Sequence, residues 1–173
     1  DLETPGFVVD VAVDALRKGD THYTELEGRH SLRASIASKI SHSAGVEIKP
    51  DWVTVLAGTQ NAFYSACRCL FGDGDEVIVL DPAYVTYEAC IASTGAQQVR
   101  VEQPAAAGFR PDIDAIERAV TSATRGIVFS NPSNPTGVAL NRDELEAISR
   151  IAVSNDLWVV VDEVYSDLVF EGV

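Results

Sequence analysis

Short apolar runs alternate with segments of helical spacing along most of this chain, and that alternation limits the folds open to it. Five stretches read as strands: Trp52 to Leu56, Glu76 to Leu80, Gln98 to Val101, Gly126 to Phe129 and Leu157 to Val161. Between them, apolar residues recur at intervals of three and four. Phe63, Ala66, Cys67 and Leu70 form one such face, Ile113, Ile116 and Val120 a second, and Leu145, Ile148, Ile151 and Ala152 a third. A helix is also expected over 84–93. Strands alternating with helices specify an α/β layer fold with a parallel sheet. The run Leu157 to Val161 is apolar throughout, the pattern of a central parallel strand covered on both faces. Two further helices are expected before the first strand, one starting at Thr4-Pro5 and stopped by Gly19, the other over about 29–42. Asp112 is placed to cap the helix of Ile116, and Asn141 with Glu144 three residues later reads as a capping box.

The length, 173 residues, suits one domain, and an apolar share of 46% with 23% charged residues is ordinary for a globular protein. Acidic residues outnumber basic ones by 26 to 13, for a net charge of −13. That balance argues against nucleic acid or an anionic membrane as a partner. No run approaches the roughly 20 apolar residues that span a bilayer, and no export signal opens the chain. Cys67, Cys69 and Cys90 are too few for a disulfide framework, so a reducing cytoplasm is the expected compartment. Methionine is absent even at position 1, which reads as a start inside a longer reading frame.

In open α/β sheets, ligands bind beyond the carboxyl ends of the strands. Four strand ends here carry distinct chemical tools. Gly58 and Thr59 open a helix whose free N–H groups suit an anion, although a plain strand-to-helix turn has the same look. Tyr84 offers a flat ring for stacking, or a core tyrosine. Asn134, between Pro132 and Pro135, offers a carboxamide to a ligand oxygen, where such clusters otherwise make turns. Asp162 directly follows four apolar residues, with Tyr165 three residues on. A carboxylate so placed is costly to bury unless it meets a cation, such as a protonated ring nitrogen, or caps a helix.

Taken together, His22 to Gly28 (HYTELEG), Ala57 to Gln60 (AGTQ), Gly72 to Tyr84 (GDGDEVIVLDPAY), Asn131 to Gly137 (NPSNPTG) and Asp162 to Tyr165 (DEVY) resemble the pyridoxal-phosphate-dependent aminotransferases of class I/II, the aspartate aminotransferase family of fold type I. The resemblance spans essentially the whole chain. The segments Val85 to Ala89 and Asp162 to Leu168 are similar to the branch holding arginine–pyruvate and aspartate transaminases. The resemblance implies a three-layer α/β/α fold with a mostly parallel sheet, pyridoxal 5′-phosphate as cofactor, and an amino acid and a 2-oxo acid as substrates. It implies that Gly58 and Thr59 hold the cofactor phosphate and Tyr84 stacks on the pyridine ring. Asn134 and Tyr165 would bond the phenolic oxygen, and Asp162 the pyridine nitrogen. Tyr23 would reach the phosphate of a neighbouring subunit, in a homodimer with shared sites. Cis peptides before Pro82 and Pro135 are also implied.

One departure bears on activity. The family's Schiff-base lysine lies a few tens of residues past the D-E-x-Y motif, whereas the lysines here are Lys18, Lys39 and Lys49. The chain therefore reads as an N-terminal piece of a cofactor-binding large domain, inactive alone, with the lysine beyond Val173. Residues 1–45 would form N-terminal helices and a dimer-contact segment, and 46–173 the sheet core. The partner of strand 52–56 would be missing, leaving an exposed edge and apolar surface. His22, His30 and His42 lack metal-ligand spacing, Cys67 and Cys69 face different ways on one helix, and the 72–76 acidic turn is too short for an EF-hand. Two other functions share the scaffold: a carbon–sulfur β-lyase, and the effector domain of a transcription regulator.

Overall fold

The structure is a computed structural model that describes residues 2–170. It contains two compact units, Asp1–Leu56 and Ala57–Val173.

The first unit is helical. Helix α1 (Gly6–Arg17) follows Pro5, and Gly19 ends its last turn at φ 76°. Helix α2 (His30–Ala44) runs two residues beyond the expected end and stops at Gly45, whose left-handed conformation lets its N–H bond the Ser41 carbonyl. Arg33, buried on α2, donates from Nε to the Gly28 carbonyl and from Nη1 to the Pro50 carbonyl, each at 3.0 Å. Gly28 has no substitute there: a Cβ would lie 2.8 Å from the Cβ of Val55.

Residues 52–56 differ from expectation. Pro50–Trp52 forms a 3-10 turn, and 53–56 are assigned to no strand. The Val55 N–H donates to the Glu27 carbonyl at 2.8 Å, but a single link makes no ladder, and no strand lies beside this segment among the described residues.

The second unit is a three-layer α/β/α sandwich. Strands β1 (Glu76–Asp81), β2 (Gln97–Glu102), β3 (Thr124–Ser130) and β4 (Trp158–Asp162) form one parallel sheet in the order β2-β1-β3-β4. Successive side chains point to opposite faces, so β1 feeds two cores. Val77 and Val79 pack with Phe63 and Cys67 of α3 (Thr59–Leu70) and with Tyr87, Cys90 and Ile91 of α4 (Thr86–Ala92). Ile78 and Leu80 pack on the other side with Ile116 of α5 (Ile113–Ala119) and with Ile148, Ile151 and Ala152 of α6 (Arg142–Ser154). Asp112 accepts from the Ala115 N–H as an N-cap, and Asn141 with Glu144 makes the full capping box. Helix α4 begins at Thr86, two residues later than expected.

β4 corrects a second expectation. Its apolar run suggested a central strand, yet it lies at the edge of the four-stranded sheet. Trp158 is 57% exposed, and Val159 and Val161 are also exposed. The sequence pattern records that both faces are apolar; coverage depends on neighbours, and β3 is the only strand beside β4 among the described residues. Among the described residues the sheet has edges at β2 and β4, the latter apolar on both faces; 53–56 form no sheet edge, although Trp52 and Leu56 are exposed. No helix among the described residues is long and apolar enough to cross a membrane. Cys67 and Cys90 are buried and Cys69 is exposed, all as free thiols, so Cys67 and Cys69 do lie on different faces of α3.

Candidate active site

The carboxyl ends of β1, β3 and β4 and the start of α3 border one cleft of about 190 Å³ in the second unit. Its walls include Thr59, Gln60, Phe63, Tyr84, Tyr87, Asn134, Asp162 and Tyr165.

The N-terminus of α3 forms one wall. Gly58 sits at φ 88° and ψ 157°, a conformation open essentially to glycine alone, and this turns the chain into the helix. The first helical bond runs from the Ala62 N–H to the Gly58 carbonyl at 3.1 Å. The N–H groups of Thr59, Gln60 and Asn61 precede it, so the helix supplies them no acceptor. They form a donor set for an anion, with the helix dipole adding to it.

Opposite stands Asp162, at the end of β4 and half-buried. Its Oδ2 accepts from the Tyr87 hydroxyl at 2.7 Å, and its Oδ1 accepts from the Val164 N–H at 3.1 Å. The carboxylate is therefore held by a side chain across the sheet as well as by its own backbone. Tyr87 is 2% exposed, and its ring lies 4.4 Å from that of Phe63 and edge-on to Tyr84 at 5.9 Å. Burial pushes the Tyr87 hydroxyl well above the usual tyrosine range; the bond to Asp162 and its negative charge add to this, and Ser130 acts in the opposite sense.

Asn134 enters from the loop after β3. Its N–H donates to Ser130 Oγ at 2.9 Å, while its carboxamide has no hydrogen-bond partner among the described residues. The loop is closed on itself: Ser133 N–H bonds the Val138 carbonyl, Gly137 N–H the Ser133 carbonyl, and Leu140 N–H bonds Asn131 Oδ1 at 2.8 Å. Arg110 pins its far end, donating from Nη1 to the Ala139 carbonyl at 2.9 Å and forming a two-pronged ion pair with Glu144. The peptides before Pro82 and Pro135 are cis, as implied, and so is that before Pro132. On the far side of Asn134 and Tyr165 lies a second hollow of about 320 Å³, lined also by Leu168, Val169 and Phe170.

Five of the residues singled out from sequence thus meet at one cleft: Thr59, Tyr84, Asn134, Asp162 and Tyr165, with Gly58 adjoining as the cap of α3. Tyr23 belongs to the first unit and its side chain is fully exposed. Sequence reasoning missed Tyr87, which stands three residues after Tyr84 and so shares its side of the turn. It also missed Arg110, for which nothing local gives a signal.

The family model for aminotransferase class I and II matches residues 2–173. The chain belongs to this family. Among curated relatives, the arginine–pyruvate transaminase of Pseudomonas aeruginosa is 40% identical over 99% of this chain and 44% of its own length. The aspartate/prephenate aminotransferase of Thermus thermophilus is 36% identical over 99% and 45%. Among solved structures, aspartate aminotransferase from Thermus thermophilus with maleate superposes with a TM-score of 0.96 at 36% identity, over 99% of this chain and 45% of that one. The aromatic aminotransferase from Pyrococcus horikoshii gives 0.96 at 34%, over 100% and 46%. The chain spans less than half the length of these relatives. The family uses pyridoxal 5′-phosphate, and the cleft has matching chemistry: a helix N-terminus for a dianion, a carboxylate for a pyridinium, a tyrosine ring for a heterocycle, and an unbonded carboxamide for a phenolic oxygen.

Proposed function

We propose that the protein binds pyridoxal 5′-phosphate in this cleft and transfers an amino group between an amino acid and a 2-oxo acid. The reading rests chiefly on one observation: the Asp162 carboxylate faces a cleft whose other walls are the α3 N-terminus, Tyr84 and the Asn134 loop. Once bound, the cofactor supplies an electron sink for the charge left when a substrate loses its α-proton.

Each residue then has a defined task. The Thr59 and Gln60 amides, with the turn at Gly58, would hold the phosphate. Tyr84 covers one ring face and excludes water from it. The Asp162 carboxylate would pair with the ring nitrogen and favour its protonated form, the charge that lets such a ring accept electrons. Asn134 would donate its carboxamide hydrogen, and Tyr165 its hydroxyl, to the phenolic oxygen. None of Lys18, Lys39 and Lys49 lies in the unit that carries the cleft.

The same reading makes the second unit, from Ala57 on, the sheet core of the cofactor-binding domain, with the boundary later than the expected residue 46, and 1–45 a dimer-contact segment. Tyr23 would serve the phosphate of a neighbouring subunit in a homodimer. Three free thiols suit a reducing cytoplasm.

The test is isotope transfer. The intact protein with pyridoxal 5′-phosphate, a ¹⁵N-labelled amino acid and an unlabelled 2-oxo acid is expected to move the label, and Asp162→Asn to slow that transfer by about a hundredfold or more. Absence of labelled product overturns the reading. So does release of pyruvate, ammonia and a thiol from a thioether amino acid in place of transfer, which is the β-lyase outcome.

A further inference from the structure

We infer that Tyr87 is a positioning residue for Asp162: from beneath the cleft it fixes the carboxylate's orientation, and so sets how strongly the site prefers a protonated ring nitrogen. This rests on the reading of Asp162 given above and adds to it a residue that does not touch the ligand's ring nitrogen itself.

The geometry carries the assignment. A carboxylate at a strand end can rotate about its Cα–Cβ and Cβ–Cγ bonds, and one backbone N–H restrains only one of its oxygens. Here the Val164 N–H takes Oδ1 and the Tyr87 hydroxyl takes Oδ2, so both oxygens are fixed and the carboxylate plane is set. Each oxygen keeps lone-pair capacity for the ligand. Tyr87 has little freedom to move away. Its ring is packed against Phe63 and belongs to the buried cluster with Cys67, Cys90 and Ile91. Its N–H is bonded to the Tyr84 carbonyl at 3.1 Å, at the entry to α4. Tyr84 meets it edge-on. A single buried side chain thus supports the ring-stacking residue and the acid, two groups that the ligand must meet in register. Its hydroxyl proton is held in place by burial and by the acid it serves, so at ordinary pH Tyr87 is a fixed donor and not an acid or base.

Tyr87→Phe keeps the ring and its packing and removes only the donor. The readout is a ratio of affinities in the intact protein, measured by titration calorimetry: pyridoxamine 5′-phosphate against its 1-deaza analogue, in which carbon replaces the ring nitrogen. Wild type is expected to prefer the pyridine. Tyr87→Phe lowers that preference about tenfold, the weight of a hydrogen bond to a charged group, with affinity for the deaza analogue unchanged. General loosening of the site would weaken both ligands alike and leave the ratio where it was. Tyr87→His, an aromatic ring that still donates, retains most of the preference. Asp162→Asn abolishes it, and adding Tyr87→Phe to Asp162→Asn changes the ratio no further. If Tyr87→Phe keeps the wild-type ratio while Asp162→Asn loses it, the role of Tyr87 is overturned and that of Asp162 stands. Loss of the ratio in Tyr87→His equal to that in Tyr87→Phe also overturns it. If Asp162→Asn keeps the ratio, both fall together.

Discussion

Replacing Arg110 by methionine tests how the Asn134 loop is held. The Arg110 guanidinium makes two bonds to the Glu144 carboxylate and one to the Ala139 carbonyl. Glu144 is only 15% exposed and also closes the capping box of α6, accepting from the Asn141 N–H at 2.8 Å. Methionine fills much of the same volume and donates nothing. Glu144 is then left charged, mostly buried and bonded to one amide. Breaking a fully buried pair from one side costs about 3–5 kcal/mol. The Arg110 side chain is 36% exposed, so water replaces part of what is lost, and the expected cost is about 2 kcal/mol. With a urea dependence of about 2 kcal/mol per molar, the unfolding midpoint falls by about 1 M.

Far-UV circular dichroism against urea measures that shift, and a second variant identifies its cause. Arg110→Met with Glu144→Gln removes the stranded charge yet keeps an oxygen for the Asn141 N–H. It should therefore be more stable than Arg110→Met alone, because an unpaired buried charge costs more than the absence of the pair. A midpoint for Arg110→Met within about 0.2 M of wild type, well below the shift expected from the urea slope, refutes the reasoning. So does a double variant less stable than the single one. The first result would mean that solvent already screens the pair; the second, that Glu144 acts mainly through something other than Arg110.

Three further outcomes are expected. Gly58→Ala forces an L-residue to φ 88°, ψ 157°, costs about 1–3 kcal/mol in thermal or urea unfolding, and weakens binding of pyridoxamine 5′-phosphate by misdirecting the first amides of α3. Asn141→Ala removes the side-chain acceptor of the Glu144 N–H and costs about 1 kcal/mol, whereas Asn141→Asp retains most of the cap. Burial pushes the Cys67 thiol from 9.0 up to about 12, with Cys90 adding to it, so above pH 9 the unfolded chain releases a proton that the folded one keeps. Stability is full below pH 9 and falls by up to about 1.4 kcal/mol per pH unit as pH rises from 9 toward 12; urea midpoints of Cys67→Ala should fall less steeply over that range than those of wild type.

The elements read correctly from sequence carry their instructions locally. β1 and β3 are short apolar runs closed by turn residues, and α6 opens on a capping box whose two members are three residues apart. The misread segments depend on something remote. An extended conformation at 53–56 becomes a strand only beside another strand, and the apolar faces of β4 become core only when covered. Hydrophobic pattern expresses a tendency to be buried, whereas topology decides whether a given run is.

The same division runs through the site. Thr59, Tyr84, Asn134, Asp162 and Tyr165 were legible because a sheet that presents strand ends to one crevice makes position along the chain equivalent to position in space. Tyr87 and Arg110 were not, since their partners Asp162 and Glu144 lie 75 and 34 residues away. Yet the need of Tyr87 for a partner follows from a rule applicable before any coordinates. A tyrosine one turn beyond Tyr84, on a helix otherwise presenting Cys90 and Ile91 to the core, must bury its ring, and a buried hydroxyl must find an acceptor. The apolar strands beside it offer side-chain acceptors mainly at their carboxyl ends, where Asp81 and Asp162 each close an apolar run; the structure gives the bond to Asp162, while Asp81 pairs with Arg100. A buried donor in search of an acceptor and a costly carboxylate in search of a donor answer one another. Wherever a sequence in this family keeps a tyrosine at the position of Tyr87, the acid at the end of the last apolar strand is expected to be held from below in the same way, which structures of such relatives can check directly.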